Sequence, residues 1–287
     1  MASRRAALFR QKHTTALYRW VIGTAWALRP KRIANFVTTA RVMLSHVLQP
    51  SRPLPDPTTL PADQEIIGIA TDLSPGVLRD AYLRGLSPAG HLPPPKWMYP
   101  RERAVVRPHD FHISSRLRGM MRKNRYRITF DTDFEGVIAA CAEPRRGWLS
   151  LTWITPRIMA AYAKLFDEGH VHSFEVWNSD GELAGGGYGV AVGRVFVIES
   201  QFFRESNASK IGFAVLAWHL AKWGFVLMDN KWLTPATERA GFKDIPRKEY
   251  LAQLPERWDP PIHPGRWQSE ADSKTVAAGP PEPTPAR

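Results

Sequence analysis

A single cysteine, Cys141, stands in 287 residues. It excludes a disulfide framework and any thiolate metal cage, and it suits a reducing compartment, so a cytoplasmic location is expected. Of the nine His residues, His170 and His172 come closest together, and none stands at the HxxxH spacing of a helical metal site. No metal is expected. Long apolar runs are also missing. The best candidate, "LYRWVIGTAWAL" (17–28), carries Arg19 inside it and falls short of the roughly 18–20 residues that span a bilayer. Acid is absent from residues 1–55, while residues 1–52 hold ten Lys or Arg.

That last absence locates most of the net charge of +12. Without the ten cations of the arm, 29 basic residues face 27 acidic ones, so the main body is nearly neutral. An acid-free, Arg-rich arm also has the composition of an organelle transit peptide. A second basic stretch, "RERAVVRPHDFHISSRLRGMMRKNRYR" (101–127), has nine Lys or Arg against Glu102 and Asp110. Clustering of this kind fits a polyanionic partner, RNA or an acidic membrane surface, and equally a solvated basic face.

The apolar share of 44% is ordinary for a globular protein, and four regions are expected along the chain. Residues 1–60 are a basic extension, with Leu17, Trp20, Val21 and Ala25 on one helical face, ending in the Pro-rich "PSRPLPDPTTL" (50–60). Residues 61–140 form a small N-terminal α/β domain. There Ser74 and Pro75 open a helix that Gly85 closes, with Leu78, Ala81 and Tyr82 inward. "HLPPPKWMYP" (91–100) reads as irregular, with Trp97 exposed. Ser114 or Ser115 starts a helix to about Asn124. Arg118, Arg122 and Arg125 line one face of it, opposite Leu117, Met120 and Met121.

Residues 141–257 form the larger domain. A helix over 155–170 is followed by a strand at 171–178, a turn at "SDG", and strands in "ELAGGGYGVAVG" and "RVFVIESQFF". A helix from about Ala208 to Trp223 and the strand "FVLMDNKW" complete a mixed sheet with helices on its faces. Overall the class is α+β. The Pro-rich stretch 258–287 is expected to be disordered.

Six blocks give this organisation a family likeness: "DLSPGVLRDAYLRG", "WMYPRERAVV", "TFDTDFEGVIAACA", "TWITPRIMAAYAKLFDEGHVHSFEVWN", "GGGYGVAVGRVFVIESQFFRESNASK" and "DIPRKEYLAQL". In their order across about residues 65–252, the chain resembles the leucyl/phenylalanyl-tRNA–protein transferases. The resemblance implies a small N-terminal domain joined to a C-terminal acyltransferase domain of the GNAT type. It implies transfer of an amino acid of the Leu/Phe class from aminoacyl-tRNA to the N-terminus of a protein that begins with a basic residue. The aminoacyl-tRNA is then a co-substrate, no cofactor is needed, and the chain is expected to act as a monomer.

An aminoacyl ester is already activated. The enzyme must place an amine against the carbonyl, remove a proton and stabilise the oxyanion. By resemblance, the catalytic carboxylates fall on Glu199 and Asp229; the competing reading is a pair of structural carboxylates. Lys231 stands where the family has Gln, and Ala236 where it has His. An ammonium donates as an amide does but neither accepts nor acts as a base. The Asp229–Lys231 spacing puts both side chains on one face of a strand, so these two are expected to pair and leave Glu199 for the incoming ammonium. The family's pocket Met residues fall on Gly187 and Gln201, while the strand Phe persists as Phe196. Two lost Met side chains imply spare volume for a larger or more polar aminoacyl group, unless neighbours such as Trp232 refill it.

The family's aromatic positions fall on Trp97 and Trp153, suited to stacking on a terminal adenosine; core packing is the alternative for Trp153. Asn207 and Ser209 open a helix whose free N–H groups, with Lys210, suit an anion. Arg116, Arg118, Arg122 and Lys123 would hold the tRNA backbone without reading sequence. Two other functions share these features: an acyltransferase with another donor such as acyl-CoA, and a non-catalytic relative that binds RNA or degrons.

Overall fold

The computed structural model describes residues 2–10, 40–44, 64–90, 94–144, 152–260 and 262–281, with positions 21, 23, 54, 56 and 57. Leu17, Trp20 and Ala25 of the expected arm face lie outside these residues. The chain divides into two compact units, Met1–Arg101 with Ala142–Ala161, and Glu102–Cys141 with Tyr162–Arg287. The expected boundary near residue 140 is thus replaced by an interleaved one, because residues 102–141 supply strands and helices to the second unit.

The first unit holds helix α1 (Ala2–Leu8), strand β1 (Ile66–Ile69), helix α2 (Pro75–Leu83), and strands β2 (Ser87–Ala89) and β3 (Lys96–Met98). Its three strands form an antiparallel sheet in the order β1-β3-β2. Pro75 starts α2 and Gly85, at φ +73°, follows its last turn, while Leu78, Ala81 and Tyr82 are buried. Trp97 does not lie in an irregular exposed segment. It sits in the central strand β3, paired with Gly68 and Pro88, and is 3% exposed. The three prolines before it obscured a short strand that needs only two ladder partners.

In the second unit β4 (Glu102–Val106) leads to helix α3 (Ser115–Met121), β5 (Arg127–Phe130) and helix α4 (Phe134–Ala142). Helix α5 (Pro156–Asp167) crosses from one unit into the other along the chain. Then come β6 (Val171–Trp177), β7 (Leu183–Val192), β8 (Val195–Phe203), α6 (Ala208–Lys222), β9 (Leu227–Asp229), α7 (Pro235–Glu238), β10 (Lys243–Pro246), α8 (Arg247–Leu251) and α9 (Ser273–Ala278). A seven-stranded mixed sheet runs β10-β4-β9-β8-β7-β6-β5, in which only β8 and β9 are parallel.

The glycines of "GGGYG" follow from how closely this sheet is covered. A Cβ on Gly185 would stand 2.8 Å from the Ser209 backbone nitrogen at the start of α6. On the other face, one on Gly186 would meet Val137 of α4 at 3.4 Å. Helices therefore pack on both faces of β7, and a side chain at Gly185 would push α6 away.

Residues 262–281, expected to be disordered, carry α9 and pack on the core. Trp267 is 1% exposed, stacks on His172 at 3.7 Å and donates its backbone N–H to Asp131 Oδ2 at 2.8 Å. Ser273 Oγ donates to the Met121 carbonyl, and Asn124 Nδ2 to Asp272 Oδ2. The proline content masked one large aromatic anchor and a short helix with an Asp272 N-cap. Among the described residues, no helix is long and apolar enough to cross a membrane.

Candidate active site

Strands β8 and β9 run side by side only over Val195–Val197 and Leu227–Asp229. Beyond that point β8 continues to Phe203 without its parallel neighbour, so the two strands part. At the parting β8 also bulges. Tyr188 of β7 pairs with Ser200 and Gly189 pairs with Ile198, which leaves Glu199 as the extra residue. Glu199 stands at the bulge and Asp229 at the end of β9, so both carboxylates lie where the two strands part.

Each carboxylate has its own cation, and the pairing differs from the expected one. Lys231 Nζ lies 2.9 Å from Glu199 Oε1 and donates to the Ile198 carbonyl at 2.8 Å. From Lys231, Asp229 receives only the backbone N–H, at 2.8 Å. The strand ends at Asp229, and Lys231 has φ +66°, a left-handed conformation. Strand alternation therefore does not hold at Lys231, and its side chain turns to Glu199 instead of Asp229.

Asp229 is held by Arg103 of β4. Arg103 Nε donates to Oδ1 at 3.2 Å, and Nη2 makes a second, charge-assisted bond to Oδ2. This is a two-point guanidinium–carboxylate pair. Tyr250 of α8 places its ring 4.1 Å from Arg103 Cζ and is hydrogen-bonded to Asp229. Burial opposes the charge on Arg103, but Asp229, Tyr250 and Glu199 together hold its pKa above the ordinary value. All of these groups are buried, with Asp229 fully enclosed and Glu199 7% exposed. An unpaired charge here would be costly, and neither carboxylate is left with that cost.

On the α4 side of the sheet, Tyr188 is buried edge-on to Phe134 and Tyr162. Its hydroxyl has no hydrogen-bond partner among the described residues. Burial first, and then Tyr162, Glu199 and Cys141, raise its pKa well above the ordinary phenol value. Neither Arg103 nor Tyr188 was singled out in the sequence. The signal lay in the quoted blocks "RERAVV" and "GGGYG", but a charge within a basic stretch does not announce a buried partner 126 positions away.

The expected pocket residues lie mainly on the α6 side of the sheet. A Cβ on Gly187 would come within 2.7 Å of the Phe174 ring and 2.8 Å of Gln201 Cγ. The volume implied by a glycine there is thus already filled, by Phe174 and Gln201 and not by Trp232, which is 39% exposed. Phe196 is buried with its ring 5.6 Å from that of Trp267. Asn207, at φ +66°, precedes α6, Ser209 is buried in its first turn and Lys210 is exposed.

In α3, Ser114 accepts a bond from the Leu117 N–H as the N-cap. The helix ends at Met121, so Arg125 falls outside the expected three-Arg face. Arg118 donates to the Ala277 carbonyl of α9 at 3.0 Å, whereas Arg116, Arg122 and Lys123 are exposed. Within the first unit, Trp97 is enclosed and Trp153 is half-buried just before α5. Among the described residues no group of three or more His, Cys, Asp or Glu is placed to hold a metal ion.

These features define an α+β protein whose mixed sheet carries a buried, doubly ion-paired carboxylate cluster where two parallel strands part. Residues 105–255 match the model of the leucyl/phenylalanyl-tRNA protein transferase family. The chain is 43% identical over 213 residues to the leucyl/phenylalanyl-tRNA–protein transferase of Alkalilimnicola ehrlichii, covering 74% of this chain and 82% of that protein. It is 44% identical over 197 residues to that of Pseudomonas syringae pv. syringae, covering 68% and 85%. With that of Desulfatibacillum aliphaticivorans it shares 40% over 220 residues, covering 76% and 94%. The chain belongs to the leucyl/phenylalanyl-tRNA protein transferase family.

Proposed function

We propose that this chain is an aminoacyltransferase that moves an amino acid of the Leu/Phe class from aminoacyl-tRNA to the N-terminal amine of a protein. The observation that carries the reading is the Glu199 bulge at the parting of β8 and β9, within the segment that matches the family. The family resemblance implies a GNAT-type domain, and a mixed sheet with helices on both faces of β7 is compatible with it, so we assign the second unit to that type.

In this reading the amine nitrogen attacks the ester carbonyl carbon. The C–N bond forms, the C–O bond to the terminal ribose breaks, and the proton lost by the amine passes by way of Glu199 to the departing ribose oxygen. Lys231 steadies the Glu199 carboxylate and, as a cation with three N–H donors, favours charge developing on the carbonyl oxygen. Asp229, fixed by Arg103, positions Lys231 through its backbone N–H. The tRNA backbone is held by Arg116, Arg122, Lys123 and Lys210, with Asn207 and Ser209 at the helix start. Phe196 and Gln201 border the aminoacyl side chain. Aminoacyl-tRNA is the co-substrate and no cofactor is required. We place this activity in the cytoplasm, on a monomer.

The test is incubation of the full chain with radiolabelled Leu-tRNA or Phe-tRNA and short peptides. Label on the peptide N-terminus supports the reading. Label from acyl-CoA alone, or tRNA binding with no transfer, replaces it by one of the two alternatives.

A further inference from the structure

We infer that the C-terminal segment 262–281 is a proton-operated latch, docked while His219 is neutral and released when that ring takes up a proton. The segment lies beyond residues 105–255, which match the family, and its docking owes nothing to the transfer reaction.

His219 is fully buried on α6, and both of its ring nitrogens are committed. Nδ1 lies 2.7 Å from the Val215 carbonyl oxygen, and Nε2 lies 2.9 Å from the backbone nitrogen of Glu270. A carbonyl only accepts and a backbone N–H only donates. The ring is therefore the neutral tautomer, with its proton on Nδ1 and a lone pair on Nε2. A proton added to Nε2 turns that acceptor into a donor aimed at another donor. The Glu270 N–H then loses its partner, and the contact becomes repulsive.

Glu270 is also the middle of the clasp, because its carboxylate takes Lys222 Nζ and the Trp223 indole N–H at the end of α6. The charged or titratable groups that act on His219 are Glu270 and His263 of the segment and Lys222 of its own helix. Phe130 of β5 and Trp218 and Trp223 of α6 present their rings to it. The shifted groups of the clasp all pull one way. Burial lowers His219 to about 4 and lowers His263 as well. Hydrogen bonds from Lys222 and Trp223 lower Glu270, and the Thr275 N–H lowers Asp272. A pKa lowered by docking means that docking is lost as pH falls, for a carboxylate as for an imidazole. For His219 the hold is complete above 6.5 and weakens below it. Release frees Arg118 of α3 from the Ala277 carbonyl and Trp218 of α6 from the Gly279 carbonyl. Acid thereby uncovers the faces of α3 and α6 that the segment occupies.

The test is hydrogen exchange of the full chain at pH 7.5 and pH 5.0, read by mass spectrometry and divided by the intrinsic rate at each pH. At pH 5.0 an undocked His219, with its ordinary value of 6.5, favours the protonated form by about thirtyfold. Protection of peptides from 265–278 is expected to fall by about that factor between the two pH values, while peptides from β7 and β8 keep theirs. His219→Gln keeps an acceptor for the Glu270 N–H but cannot titrate, so its segment should lose less than about a third as much. A wild-type fall below about tenfold overturns the latch, as does an equal fall in β7 and β8. A fall as steep as wild type in folded His219→Gln overturns it too. Should that variant not fold, nitrogen NMR of the wild-type ring at pH 6 decides. A neutral ring protonated on Nδ1 supports the latch. An imidazolium, or a proton on Nε2, with the segment still protected overturns it.

Discussion

Lys231 forms its ion pair with Glu199, 32 positions before it, and not with Asp229 two positions away, which it meets only through its backbone N–H. A buried pair of this kind contributes little over an apolar replacement, but losing one partner strands the other. Lys231→Met should therefore cost about 3–5 kcal/mol of stability. Adding Glu199→Gln should recover most of it. Urea unfolding of both single variants and the double one closes the cycle. Additive losses would show that the two side chains do not interact in solution.

The C-terminal segment is expected to behave as part of the core. Trp267→Ala removes a buried indole packed against His172, Phe196 and Trp223, and should destabilise by about 3–5 kcal/mol. Truncation before residue 262 should lower the melting temperature further, because α9 and its bonds to Met121 and Arg118 go as well. A truncated chain that melts with the full one would contradict this packing.

Glu175 gives the fold a pH dependence. Burial pushes its carboxyl up to about 7, although Ser173 and Thr129 each donate a hydroxyl to it at 2.6 Å. The folded state thus binds the proton more tightly than the unfolded one, and stability falls as pH rises between about 4.5 and about 7. His219, lowered by burial to about 4, acts in the opposite sense and loses stability as pH falls from 6.5. Glu175→Gln should remove the first effect, raising the melting temperature at pH 8 more than at pH 5. An equal shift at both pH values would mean that Glu175 does not titrate in this window.

The basic helix yields a prediction narrower than its composition implied. Arg118 is engaged by α9, so of the four cations expected to hold RNA, Arg116, Arg122 and Lys123 are the exposed ones. Replacing these three by Ala should reduce the salt slope of tRNA binding by about 2–3, whereas Arg118→Ala should leave the slope nearly unchanged and lower stability. A full loss of slope from Arg118→Ala alone would place the RNA on the covered face.

The contrast between Arg118 and Lys231 shows what a sequence exposes and what it withholds. Continuous apolar runs marked β6, β7, β8 and α6 closely, because each is long and buried on more than one side. Pro75 and Gly85 fixed α2 through local backbone chemistry. Family likeness picked out Glu199 and Asp229, but only Asp229 ends its strand, whereas Glu199 lies mid-strand in β8, at its bulge. The partners were not legible. Arg103 reaches Asp229 across the sheet, and Lys231 departs from strand alternation through one positive φ. The tail was misjudged because composition averages over a segment, whereas a single Trp267 decides whether it packs.

The central claim is that the Glu199–Lys231 cluster is where aminoacyl transfer occurs, beyond any structural role. Its most direct test is single-turnover transfer from bound Leu-tRNA or Phe-tRNA to an acceptor peptide, comparing wild type with Glu199→Gln/Lys231→Met. That double variant keeps the site free of stranded charge and should fold. Loss of transfer by about a hundredfold or more, with tRNA affinity unchanged, is the predicted result. Transfer at the wild-type rate in that folded variant would contradict the assignment.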